Sequence, residues 1–280
     1  MEVYYVDGEF VPKDQAVIPV NDLAILRGLG VFDLIRTLNG RPYFFKEHID
    51  RLMQSARQTG LHLPWNQTQI EDIVLQTLEK NPHLSDANIR IVITGGSSTD
   101  FMTFQEQPRL IVLITPMKRY PSEWYEKGVK VITIQQERDL PDAKSISYIS
   151  AALALKQAHD EKAIEALYVN RNTEVLEGTT SNLFALFNQT LVTPEAGILK
   201  GVTRQAVLNI ARDLYAIEQR PIKLDELLQA DEVFITGTNK GVVPVVQVDT
   251  TIINTGRPGK NTLTLLAHLT RHAEGFREQA

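Results

Sequence analysis

What constrains this chain most is its punctuation. Short runs of β-branched and aromatic residues are each closed by a dipeptide that turns a chain tightly. Asp7-Gly8 interrupts residues 4–11, and Asn39-Gly40 separates 31–38 from 41–45. Both dipeptides tolerate the positive φ that two-residue hairpin turns demand, so each marks a pair of antiparallel strands. In the second half Arg171-Asn172 and Asn188-Gln189 repeat the device. Strands this short and closely spaced argue for a barrel-like or strongly bent sheet there, not a doubly wound one.

Helical periodicity breaks in at few places. Residues 46–59, closed by Gly60, place Ile49, Leu52, Met53 and Ala56 on one face, and 66–80 do the same through Ile70, Ile73, Val74, Thr77 and Leu78. Strands follow at 88–94 and 109–115, split by a loop opening Gly95-Gly-Ser-Ser98. This order describes an α+β domain with a largely antiparallel sheet. Around Pro116 and Pro121 the pattern stops. We therefore expect a small α+β domain over 1–117, a linker over 118–127, and a larger domain over 128–280. In that larger half, strands are expected at 128–134, 165–170, 173–187, 190–193, 232–241 and 242–248. Helices are expected at 149–156, from Gly201 to 211, and at 261–276.

Composition narrows the function classes. There is no cysteine, the net charge is −5, and no apolar run approaches the roughly eighteen residues of a membrane span. A cytoplasmic protein with no membrane partner is the expectation. No basic stripe exists to follow a phosphate backbone, so nucleic acid is excluded as a partner. The G-x-G-x-x-G, Walker and G-x-S-x-G patterns are absent. His268 and His272 stand four apart with no third ligand in sequence reach, so no metal is expected.

A few residues invite chemistry. Residues 138–148 form a proline-stiffened polar loop that delivers Lys144 to the mouth of a small-residue helix, with Ser145 or Ser147 available to cap it. Arg51 lies off the apolar stripe of its helix and faces either solvent or an anion. Gly28 and Gly30 permit either positive φ or close backbone approach ahead of a strand. The helix that starts after Gly201 offers free N–H groups suited to an anion, and Gly237-Thr238-Asn239 offers a hydroxyl and bare backbone at a strand end.

Six segments now fall into one pattern: Arg27-Gly-Leu-Gly-Val-Phe-Asp33, His48-Ile-Asp-Arg-Leu52, Asp142-Ala-Lys-Ser145, Glu177-Gly-Thr-Thr-Ser-Asn-Leu-Phe184, Leu199-Lys-Gly-Val-Thr-Arg204 and Phe234-Ile-Thr-Gly-Thr238. In this order the chain resembles, over nearly its whole length, the fold-type IV pyridoxal-phosphate enzymes. These are the class IV aminotransferases (branched-chain and D-amino acid) and the 4-amino-4-deoxychorismate lyases. The resemblance implies a small N-terminal α+β domain and a larger pseudo-barrel α+β domain carrying the cofactor lysine. It also implies a homodimer with the active site near the interface. Lys144 would form the Schiff base with pyridoxal 5'-phosphate, and Glu177 would face the pyridine nitrogen. Arg51, the backbone N–H groups of Val202 and Thr203, and Thr238 would hold the phosphate. Tyr148 would lie against the ring, although strict branched-chain enzymes space that tyrosine differently.

The chemistry suits these residue types. A lysine, with a reference pKa of about 10.4, must be neutral to attack an aldehyde, and desolvation or a nearby cation favours that form. Once displaced it can serve as general base and then acid. The resemblance implies a transaminase that moves an amino group between a branched-chain or other apolar amino acid and a 2-oxo acid such as 2-oxoglutarate. Arg27, Arg90 and Arg36 are the candidates for the substrate carboxylate, and Phe32, with Leu29 and Ile25, for an apolar wall. The usual D-amino acid enzymes carry an arginine just before the second loop glycine, where this chain has Gly95. Leu26-Arg27-Gly28 with Gly95-Gly96 resembles a rarer D-amino acid branch. The alternatives are that branch, the lyase, and a non-catalytic metabolite-binding protein on the same fold. The last would be expected to have lost Lys144 or Glu177.

Overall fold

The computed structural model describes residues 1–278. The chain forms two compact units. Of the described residues, the first comprises Met1–Lys118 together with Asp142–Tyr148 and 276–278, the end of the last helix, and the second Arg119–Pro141 and Ile149–Gly275.

The first unit holds β1 (Val3–Val6), β2 (Glu9–Pro12), α1 (Leu23–Arg27), β3 (Gly30–Leu38), β4 (Arg41–Pro42), α2 (Phe45–Gln58), α3 (Gln67–Glu79), β5 (Ala87–Thr94) and β6 (Arg109–Pro116). Its sheet runs β2-β1-β6-β5-β3-β4 and is antiparallel throughout. The first hairpin turns at Asp7 and Gly8, both at positive φ, as its dipeptide requires. Period-two alternation sends Val31, Ile35, Ile89, Ile91 and Ile93 into the core, where they meet Ile49, Leu52 and Ala56 of α2 and Ile70 and Val74 of α3. Each fully buried side chain of this size contributes about 1.5–3 kcal/mol. Asn66 and Gln69 close the start of α3 with a reciprocal capping box. The strand expected over 41–45 stops at Pro42, because Phe44 turns to φ +55° and α2 starts at Phe45.

The second unit holds α4 (Glu123–Glu126), β7 (Val129–Gln135), α5 (Ile149–Asp160), β8 (Ala166–Val169), β9 (Glu174–Gly178), β10 (Ser181–Phe187), β11 (Thr190–Thr193), α6 (Val202–Ala211), β12 (Ala216–Gln219), β13 (Ile222–Lys223), α7 (Leu224–Leu227), β14 (Glu232–Gly237), β15 (Gly241–Val248), β16 (Thr251–Ile252) and α8 (Lys260–Glu278). Strands β10-β14-β15-β7-β8-β9 pair in sequence, and β9 pairs again with β10, which closes a barrel. Only β7 runs parallel to its barrel neighbours β8 and β15. Parallel neighbours need a crossover, and α5 supplies the one between β7 and β8. The barrel is filled at alternate positions by Val131, Leu183, Ala185, Val233, Ile235, Val243 and Val245.

Further expectations change: the strand expected over 232–241 ends at Gly237, and residues 238–240 turn into β15. The run 173–187 is two strands, because Thr179 and Thr180 turn the chain between β9 and β10. The linker contains the short helix α4. Lys144 was expected within the second domain, yet residues 142–148 belong to the first unit, where they run along β3. Among the described residues, no helix is long and apolar enough to cross a membrane, and no group of three or more metal-ligating side chains exists.

Candidate active site

In the first unit the site is built on β3. Strand β4 pairs only with Thr37 and Leu38, which leaves the same edge open near Gly30. Residues 142–148 fill it. Ser145 bridges Val31, the Phe32 N–H donates to the Lys144 carbonyl at 2.9 Å, and the Ile146 N–H donates to the Gly30 carbonyl at 3.0 Å. The Lys144 N–H donates to Ser55 Oγ of α2 at 3.0 Å. A Cβ on Gly30 would stand 2.7 Å from the Ile93 carbonyl oxygen and 2.9 Å from Ile146 Cδ1, so this glycine serves close approach. Gly28, at φ +66°, serves instead as the left-handed cap of α1.

With its backbone held on both sides, Lys144 places Nζ 4.7 Å from the centre of the Phe32 ring. Tyr148 meets the same ring edge-on at 5.5 Å, and the Arg90 guanidinium lies 5.3 Å from it. Phe32 therefore gathers an amine, a phenol ring and a cation. Arg27 ends α1 with an exposed side chain that donates to the Leu26 carbonyl at 2.7 Å. Arg36 lies over Tyr43 at 4.9 Å. Neither joins the Phe32 cluster.

Asp33 points to the other face of β3 and meets α2. Arg51 Nε and Nη2 each donate to its carboxylate at 2.8 Å, and His48 Nδ1 lies 2.7 Å from Oδ1. Burial by itself would raise the Asp33 carboxyl, but Arg51 and then His48 hold it well below the usual carboxylate range. Burial pushes the His48 ring down against the pull of Asp33, so the neutral ring is favoured and its Nδ1–H faces the carboxylate. The polar group that Arg51 faces is thus Asp33.

The second unit carries the remaining candidates. Glu177, in β9, is paired across the hairpin with Asn182 in β10. The Leu199 N–H and Asn182 Nδ2 donate to Glu177 Oε2 at 3.0 and 3.2 Å, and Arg138 Nη1 donates to Oε1 at 3.1 Å. Asn182 Nδ2 also donates to the Leu199 carbonyl at 2.7 Å. These donors fix the plane of a buried carboxylate. Gly201 then begins α6 with no side-chain cap, ahead of Val202 and Thr203. A Cβ on Gly201 would stand 2.0 Å from Asn182 Oδ1, so only glycine lets the amide sit against the helix start. Asn182 is also paired with Thr236 of β14. Thr236 Oγ1 and Asn239 Oδ1 are buried with no hydrogen-bond partner, and Thr238 stands half-buried between them in the chain.

Sequence reasoning overlooked Asp33, His48, Ser55, Asn182 and Arg138 as parts of these clusters. Asp33 left a signal: an acid at the apolar phase of a strand, opposite a helix that carries His48 and Arg51 one turn apart. Asn182 and Arg138 left none, because their roles depend on cross-strand and loop partners far away in sequence.

The amino-transferase class IV family profile matches residues 30–248. A Methanocaldococcus jannaschii protein provisionally named a branched-chain-amino-acid aminotransferase is 36% identical, over 93% of each chain. A D-alanine aminotransferase of Staphylococcus aureus is 29% identical over 98% of this chain and 99% of its own. Among solved structures, the branched-chain aminotransferase of the thermophilic archaeon Thermoproteus uzoniensis, with norvaline, matches with a TM-score of 0.90 at 26% identity, covering 99% of this chain and 96% of that one. The strand-edge lysine loop and the braced hairpin acid accordingly sit on a known scaffold, and the chain belongs to the class IV aminotransferase family.

Proposed function

We propose that this chain takes the amino group of a branched-chain or other apolar amino acid and passes it to a 2-oxo acid such as 2-oxoglutarate. Its family makes it a pyridoxal-phosphate-dependent transaminase. The residues fit that cofactor. Thr236 Oγ1 and Asn239 Oδ1 are buried polar atoms without partners, a state costing about 1–3 kcal/mol each unless a ligand answers it. The uncapped start of α6 supplies N–H groups suited to a phosphate.

Within this reading Val202, Thr203, Thr238 and Arg51 would hold the phosphate. Glu177, already oriented by three donors, would face the ring nitrogen and stabilise its proton. When bound, pyridoxal phosphate supplies an electron sink for a deprotonated substrate Cα. Lys144 carries the proton: its neutral amine takes it from Cα and later returns it. Tyr148 would pack beside the ring, and Arg90 would draw the substrate carboxylate, with Arg27 and Arg36 as the other candidate cations.

The observation that carries the substrate class is the Phe32 cluster, where Lys144 Nζ and Arg90 both lie near one apolar ring. An amino acid with an apolar side chain offers the three matching groups. D-amino acids form a second reading, supported by full-length similarity to the D-alanine aminotransferases. We also propose a cytoplasmic homodimer. Ile149 and Leu153 leave an apolar stripe exposed along α5, which supports association with a second copy.

A half-reaction screen tests the reading. The bound chromophore is expected to bleach with L-leucine, L-valine or L-isoleucine, and borohydride reduction to fix the cofactor on Lys144. Bleaching only with D-amino acids selects the second reading. A label on another lysine refutes the role of Lys144.

A further inference from the structure

Behind the barrel hairpin lies a buried ion pair that the reaction scheme leaves unused. Glu165, fully buried, receives Lys240 Nζ at 2.6 Å, Thr180 Oγ1 at 2.7 Å, Ser181 Oγ at 3.0 Å and Thr179 Oγ1. Lys240 Nζ also donates to Thr180 Oγ1 at 2.6 Å, and the Lys240 carbonyl accepts from Tyr125 Oη at 2.9 Å. Lys240 is only 8% exposed. Burying both charges has a desolvation cost that their attraction offsets only when the remaining donors and acceptors are met. Here three hydroxyls meet them.

The position of this pair is what gives it meaning. Thr179 and Thr180 are the turn between β9 and β10, so they follow Glu177 and precede Asn182. Lys240 lies in the turn between β14 and β15, two residues after Thr238. Space is tight on both sides. A Cβ on Gly178 would stand 2.3 Å from Ser181 Oγ and 2.9 Å from Glu165 Cγ, and one on Gly237 would stand 3.3 Å from the Thr180 carbonyl oxygen. The two turns are thus tied to one carboxylate by one ammonium, with no room for a side chain at Gly178 and a tight contact at Gly237.

We infer that Lys240 is a positioning residue, which through Glu165 and Thr180 sets the spacing between the ring-facing acid Glu177 and the phosphate turn at Thr238. This rests on the cofactor roles given above. Neither group of the pair is among the residues assigned above to the cofactor. Their effect is on how well a ligand can satisfy both turns together. A ligand that spans both gains from fixed spacing, and a ligand that uses only one does not.

The test compares three ligands on the apoprotein: pyridoxal phosphate, pyridoxal, and inorganic phosphate. Dissociation constants come from chromophore titration for the first two and phosphorus NMR for the third. Lys240→Met is expected to weaken pyridoxal phosphate binding at least tenfold while pyridoxal and phosphate each stay within threefold. Lys240→Arg, which keeps a cation near Glu165, is expected to recover most of the loss. A loss below threefold for pyridoxal phosphate overturns the inference, and so does a parallel loss for all three ligands, which would mark a merely structural pair. If Lys240→Met does not fold, Thr180→Val removes the bridging hydroxyl with both charges retained and is judged by the same criteria. Wild-type protein that fails to bind pyridoxal phosphate would refute the cofactor reading itself, a distinct outcome.

Discussion

Replacing Asp33 by asparagine tests whether the joint between β3 and α2 rests on charge. The substitution removes a carboxylate that two Arg51 N–H groups reach at 2.8 Å and His48 Nδ1 at 2.7 Å. The side chain of Arg51 is 11% exposed and that of His48 2%. Stranding a buried ion costs about 3–5 kcal/mol. The asparagine carbonyl can keep one bond and Arg51 retains some solvent, so the lower end, about 3 kcal/mol, is expected. With a urea slope of about 2 kcal/mol per M, the midpoint falls by roughly 1.5 M. Trp65 packs against the core of the first unit, so in a Trp124→Phe background its fluorescence reports that unit alone. The pH dependence carries a sign. Asp33 is held below the usual carboxylate range, so its stabilisation is complete above the unfolded value of about 3.9 and fades as pH falls below it. The variant lacks that titration, so the gap between the two proteins narrows below about pH 4. Asp33 also opposes the effect of burial on His48, and losing it lowers that ring further. The gap therefore first widens slightly only after pH has fallen below about 6.5 into the lowered range of the His48 ring, since above that range both proteins lose the same stability. A gap at pH 7 under about 1 kcal/mol, or one that does not narrow between pH 4.5 and 3, refutes the reasoning.

Other substitutions probe the second unit, and one, Gly96→Ala, the first. Glu177→Gln should still bind the cofactor but slow the half-reactions about 10²-fold or more, the scale of losing one preorganised electrostatic partner. Its amide must also turn an N–H toward a donor, either Arg138 or the Leu199 N–H, so rapid-mixing rates near wild type would show that the acid has no such role. Gly201→Ala drives a Cβ to 2.0 Å from Asn182 Oδ1, and that amide cannot retreat without releasing Glu177 and the Leu199 carbonyl. A melt should show a loss of about 1–3 kcal/mol together with weaker cofactor binding, and an unchanged melting curve would contradict the packing. Gly96→Ala meets both a φ of +74° and the Gln107 carbonyl oxygen 1.8 Å away, so it should lower soluble yield more than Gly201→Ala does.

How much of this was legible beforehand depended on the range of the interaction. Asp7-Gly8 and the Asn66–Gln69 capping box are local chemistry, and both the hairpin and the helix start lie where those residues put them. The antiparallel sheet and the bent second sheet followed from period-two runs and turn spacing. Closure of the barrel did not, because the β9–β10 pairing at Glu177 and Asn182 depends on a turn whose two central residues, Thr179 and Thr180, are neither glycine nor proline. Arg51 shows the same limit from the side-chain end. Periodicity could place it off the apolar stripe, but naming its partner required knowing that β3 turns Asp33 toward α2.

Lys144 carries the argument furthest. As sequence it is a polar-loop residue before a helix, and its chemistry comes from residues that precede it by about a hundred positions. The strand edge left open by the short β4, the missing Cβ at Gly30 and the Ser55 hydroxyl together hold the loop as an added strand, with Phe32 beneath the amine. A nucleophile that must shuttle a proton over a short distance gains from a backbone that does not move, since misplacement by even 1 Å can cost about a hundredfold in rate. Gly30→Ala should therefore act as an active-site substitution despite carrying no functional group. It is expected to displace residues 144–146 and to slow the half-reaction at least tenfold, with the melting temperature of the second unit, read from Trp124 in a Trp65→Phe background, unchanged. Equal rates for variant and wild type would mean that the strand-edge seat does not position the lysine.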